Sequence, residues 1–178
     1  MTAEFTRDAA MTAAVFGFFT MAWFGWAQED PPQRWRKWLV AGSVLAALIV
    51  VAAGLLAWSV WNTGTALDAD TARRFGIVVG VEFGLAGAGA GLLTWHGRKE
   101  LVPVWIALMV GVHFLPLAAL LRYPLLYLVA TVVTIVAAAA VPVARRSSLP
   151  VSAVNGVGVG TTLLTAATFA LVEAFFRS

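Results

Sequence analysis

The sequence predicts an all-α, polytopic transmembrane helix bundle of six spans, and three observations lead there. The chain is 61% hydrophobic and only 12% charged, against roughly half and a quarter in soluble domains. Apolar runs of about 20 residues, the length at which a helix crosses a hydrocarbon core, recur along the whole chain. No run alternates polar and apolar residues over about ten positions, as a barrel strand would, so each span must be a helix that satisfies its own backbone.

The six runs cover 9–28, 38–61, 75–95, 101–121, 125–143 and 149–176. The first follows MTAEFTRDAA, where Arg7 is offset by Glu4 and Asp8, and it ends in WAQEDPP without a small-residue cleavage site. It reads as a retained helix and not as a signal peptide. The second opens on RWRKW, an interfacial anchor in which Trp35 and Trp38 flank Arg36 and Lys37. The remaining connections, NTGTALDADTARR, HGRKE, RYP and ARRSS, are too short to hold a further domain. The whole of 1–178 therefore reads as one integral membrane domain, with the lipid bilayer as its first partner.

Ten Arg and two Lys sit in small groups at the run boundaries and give a net charge of +3. That arrangement suits topology and anchoring; no basic face exists for nucleic acid. Arg34, Arg36, Lys37, Arg98, Lys99, Arg145 and Arg146 lie on one side, against Arg7, Arg73, Arg74, Arg122 and Arg177 on the other. Seven against five places both termini outside by the positive-inside rule. The Arg bias and the Ala, Gly and Val content point to the inner membrane of a GC-rich bacterium. Three spans per half would put the halves in opposite orientations, so a 3+3 inverted repeat, as in many transporters, is one arrangement the sequence permits.

The third run carries the sharpest pattern. At 100° per residue, Gly76, Gly80, Gly84, Gly87 and Gly91 fall within about 80° of one another. Such a stripe lets helix backbones approach closely in lipid, so it predicts a helix contact inside the bundle, with a homo-oligomer seam as the alternative. Two opposed faces, glycine and acidic, predict a central place for this helix. Glu82 lies roughly 160° from the centre of the stripe and close to mid-span, where a carboxyl group normally faces protein or water. His113 sits at a similar depth in the fourth run, three residues before Pro116, whose ring spares the carbonyl of Val112. Glu82, His113, Pro116, Thr131 and Thr134 are therefore the candidate polar intramembrane site. The hydroxyls of the fifth and sixth runs bond back to their own helices at little cost, so packing competes with pathway lining as their role.

Several chemistries are excluded. With no Cys there is no disulfide, Cys-ligated metal or thiol nucleophile. GAGAG and NGVGVGTT lack both a preceding strand and the P-loop lysine. His96 lies at a membrane surface, roughly 15–20 Å from the depth of His113, so the two cannot hold a haem between them. No nucleophile-elbow, metalloprotease or paired-aspartate motif stands in a span. No cofactor, metal site or catalytic group is expected, and the chain reads as a non-enzyme. The segments FGIVVGVEFGLAG and VGVHFLPLAALLRYPLLY resemble those of small six-helix bacterial integral membrane proteins, a resemblance that implies the span count and carries no chemistry. The leading expectation is a small transporter or channel-like protein for an unnamed solute or ion. Its rival is a scaffold or accessory subunit in which Glu82 and His113 only hold helices together.

Overall fold

The structure, a computed structural model, describes residues 2–177. Six α-helices follow one another: α1 (Thr6–Ala27), α2 (Gln33–Ser59), α3 (Ala69–Trp95), α4 (Val102–Leu120), α5 (Leu125–Ser147) and α6 (Val151–Arg177). A single 3-10 turn, Lys99–Leu101, leads into α4. All six are long and apolar enough to cross a membrane. Even α4, the shortest at 19 residues, extends about 28 Å at 1.5 Å per residue, close to the hydrocarbon thickness. The chain is an all-α integral membrane protein.

Helices α2 and α3 begin about one and a half turns before their apolar runs, because the charged segments Gln33–Lys37 and Ala69–Arg74 are already helical. Local chemistry explains the boundaries. Asp68 caps α3 by accepting a 2.7 Å hydrogen bond from the Thr71 amide. Its end is set by Gly97, at φ +71°, with the Arg98 amide donating to the Leu93 carbonyl and the Gly97 amide to that of Thr94. This is the left-handed, doubly bonded helix end for which glycine is favoured. Pro124 precedes α5 and Pro150 precedes α6, where a missing amide hydrogen costs nothing.

The central helix is α6, which packs against α1, α2, α4 and α5. It is lined with small residues. Added at Gly156, a Cβ would stand 2.6 Å from the Trp23 carbonyl oxygen and 2.8 Å from the Ala27 nitrogen of α1. Ala153, Ala167, Ala170 and Ala174 are completely buried. In lipid the helices are held by this close contact and by interhelical hydrogen bonds.

Two expectations about α3 are corrected. The helix is peripheral, packing on α4 and the short turn before it, and making no extensive contact with any other helix. In its stripe Gly76, Gly80, Gly84 and Gly91 face outward and Gly87 borders the space between α3 and α1, and a Cβ at any of the five would meet no atom within 4 Å. The close approach to α4 is made off the stripe, where Gly89 accommodates the indole of Trp105, whose Nε1 donates 3.1 Å to the Leu85 carbonyl. Stripe geometry says which face is smooth but not which face has a neighbour. The 3+3 inverted repeat is not displayed either: α5 packs on α6, whereas their counterparts α2 and α3 do not pack on each other to any extent.

Candidate functional site

Because α1 packs extensively on neither α3 nor α4, a cavity of about 470 Å³ is left between these three helices, with Leu163 lining it from α6. Glu82 is the central residue of the 27-residue α3. On α4, His113 lies two residues past the centre of Val102–Leu120. Both line this one cavity. No other ionisable side chain lines it, and its remaining walls are apolar and aromatic, including Phe19 and Trp23 of α1 and Phe75 and Phe83 of α3.

Glu82 is only 8% exposed, since it occupies the α3 face turned away from the glycine stripe. Among the described residues the three ion pairs all lie elsewhere. The carboxyl group thus meets apolar surroundings without a cation beside it. His113 is half-buried, with its ring against that of Phe114 at a centroid distance of 4.5 Å. Its Nδ1 lies 2.9 Å from the Val110 carbonyl oxygen. A carbonyl can only accept, so Nδ1 carries the hydrogen, and in the neutral ring Nε2 is left as an acceptor.

The other residues of the expected polar site stand outside the cavity. Pro116 is exposed on the outer face of α4, which stays helical through it, and the imidazole bonds to Val110 and not to the spared carbonyl of Val112. Thr131 is exposed and returns its hydroxyl to the Tyr127 carbonyl at 2.9 Å. Thr134 is half-buried against Gly111 at the α4–α5 contact. The polar residues on successive helices share a depth but not a direction, and depth alone is what a run of sequence conveys.

A second buried carboxylate escaped the sequence reading. Glu173 of α6 accepts hydrogen bonds from the Ala3 amide at 2.6 Å, the Tyr123 hydroxyl at 2.7 Å and Arg177 at 3.1 Å. Arg177 also donates to the Ala3 carbonyl. Burial, together with the adjoining Glu173 carboxylate, pushes the Tyr123 phenol well up from its ordinary range. Nearby, Asp8 accepts from the Thr65 hydroxyl at 2.6 Å and the Ala66 amide at 2.7 Å, and Arg7 stacks 3.8 Å over the Trp61 ring. This polar knot joins both chain ends to the α2–α3 and α4–α5 connections. The spacing of Glu173 and Arg177, four residues apart on one helix face, was its visible signal. Asn155, fully buried, donates 3.0 Å to the Pro103 carbonyl and so ties α6 to the start of α4.

No family model matches the chain, and no solved structure matches it. The chain is similar to NADH-ubiquinone oxidoreductase chain 6 of Gadus morhua, with 34% identity over 87 residues. The match covers 47% of this chain and 46% of that protein, so the chain spans about half the length of the curated relative. The expectation of a non-enzyme is corrected by this finding, because the relative is by name one chain of an oxidoreductase.

Proposed function

We propose that this chain is a proton-linked membrane transport protein whose working site is the cavity shared by Glu82 and His113. The observation that carries the reading is the convergence of two titratable side chains, from two helices, on one cavity near mid-span. Charge in apolar surroundings is strongly unfavourable unless compensated. One proton more or less on this pair therefore changes which solutes the cavity admits. The proposal places the chain in a bacterial inner membrane with both termini outside, on the strength of the seven-to-five distribution of basic residues.

A second reading is favoured by the match to an oxidoreductase chain. In it the chain is a membrane subunit of a redox assembly, the Glu82–His113 cavity forms part of a proton path, and the open glycine stripe of α3 receives a helix of a neighbouring subunit. In the transport reading the same stripe would receive a second copy.

Both readings require proton movement that depends on this pair. The test is the full chain reconstituted into vesicles with a trapped pH-sensitive dye, under an imposed membrane potential. Flux should depend on the chain, and Glu82→Gln and His113→Ala should each shift its pH profile. An identical profile in both variants would overturn the proposal. Sedimentation of the native protein from mild detergent separates the two readings, since a redox subunit would travel with NADH-oxidising activity.

A further inference from the structure

We infer that the solute held in this cavity is a lipophilic organic monocation; the inference rests on the transport reading above and names its substrate class.

Access comes first. The cavity lies where α1 and α3 fail to pack, and two of its wall residues, Phe19 and Phe83, are 38% and 61% exposed on the outer surface of the bundle. At this depth that surface faces hydrocarbon. A solute reaches the site through the bilayer and must be soluble in it.

Charge comes next. Glu82 is the one acid in the cavity, and neither Lys nor Arg lines it. Of the elements around it, α1 and α6 contribute no titratable group to the walls, and α4 contributes only His113. With Nδ1 engaged by the Val110 carbonyl, the neutral imidazole presents Nε2, another acceptor. Glu82 and the Nε2 of His113 are thus suited to a cation or a donor, whereas an anion would meet a carboxylate; Trp23 and Trp26, which also line the cavity, carry its other polar atoms in their indole N–H groups. A small hydrated metal ion is also unsuited, because it asks for about six oxygen ligands and the walls offer one carboxyl group.

Shape completes the match. The rings of Phe19, Trp23, Phe75 and Phe114 are among those that line the space, and aromatic rings attract organic cations. The volume of about 470 Å³ falls in the range of small-molecule sites, roughly 300–1,000 Å³. A proton and an organic cation are alternative counter-charges for one carboxylate, so the two compete, and binding weakens as pH falls.

Tetraphenylphosphonium is the probe, with the isosteric anion tetraphenylborate and neutral triphenylphosphine oxide as controls, each titrated against the full chain in nanodiscs. Saturable binding of the cation, weaker at low pH and far tighter than either control, is the expected result. Glu82→Gln should weaken it at least about thirtyfold, the effect of removing one partner of a buried charge pair. Glu82→Asp should retain most of it, which guards against misfolding as the cause. Phe19→Leu with Phe75→Leu should weaken it roughly two- to thirtyfold by removing ring faces while keeping apolar bulk. Equal binding in Glu82→Gln, or equally tight binding of either control, would overturn the inference. So would binding of a short-chain ubiquinone analogue in place of the cation. If the cation fails to bind while vesicle flux still depends on Glu82, the substrate class is wrong and the transport reading stands. If it binds through Glu82 and no flux is found, the ligand chemistry stands and transport falls.

Discussion

Helices α3 and α6 occupy corresponding places in the two halves of the chain, and each has 27 residues, a run of glycines and one buried glutamate. They are used in opposite ways. In α6, Gly156 and Gly160 press on α1 and Gly158 on α5, and Glu173 is met by three hydrogen-bond donors. In α3 the glycine stripe meets nothing, and Glu82 borders a cavity instead of a donor. A polar group in a membrane protein is structural when its bonds are already made by the chain. Where they are not, the unmet demand is what a proton or a solute can answer.

The sharpest way to break this comparison is to add bulk to both helices. Gly156→Leu sets a side chain against the backbone of α1 and should destabilise by about 3 kcal/mol or prevent folding, at the upper end of overpacking effects. Gly84→Leu points outward and should stay within about 0.5 kcal/mol of wild type. Thermal unfolding of the purified proteins checks both, and equal damage at the two sites would mean that α3 is packed after all. A change in oligomer size with Gly84→Leu, at unchanged stability, would sharpen the contrast by showing that the open stripe has an external neighbour.

The two carboxylates give the next contrast. Glu173→Ala strands the Tyr123 hydroxyl and the Ala3 amide and should cost about 3 kcal/mol in denaturant unfolding. Glu82→Gln should be neutral or raise stability by up to about 1 kcal/mol, as expected where function and stability conflict. A Glu82→Gln variant as unstable as Glu173→Ala would return Glu82 to a structural role.

A smaller loss than that of Glu173→Ala is expected at Tyr123. Tyr123→Phe removes one donor to Glu173 and should lose about 1–2 kcal/mol near neutral pH. The phenol is held above its ordinary value in the folded chain, so it binds its proton more tightly there than when unfolded. Its contribution is complete below about pH 10, the unfolded value, and declines as pH rises beyond it. Wild type and Tyr123→Phe should therefore converge in stability above about pH 10. A constant gap across that range would separate the Tyr123 hydroxyl from the knot.

The six spans were legible in the sequence because crossing a membrane demands a length and a composition that any such run displays. Glu82 and His113 were legible as residues of common depth, since depth follows from position along a helix. Which helices touch was not legible. Small residues line the packed α6 and the open α3 alike, and only the three-dimensional arrangement shows that α6 has neighbours on several sides while α3 has one. Thr131 and Thr134 were grouped with the pair for the same reason: they share its depth, but they sit on a helix facing another way. Glu173 was overlooked because its partners, Ala3 and Tyr123, lie far from it along the chain.

The pairing of the first helix with the last also sets a schedule. Helix α1 finds its most extensive contact in α6, so residues 28–150 must be made before α6 begins to emerge. At roughly 5–20 residues per second, that interval is on the order of 6–25 s. For that time Thr20 and the small residues around it are a half-finished surface in the membrane, with α2 as their early companion. Assembly of this bundle is closed by its last helix, and a chain cut short before α6 would leave its first helix waiting.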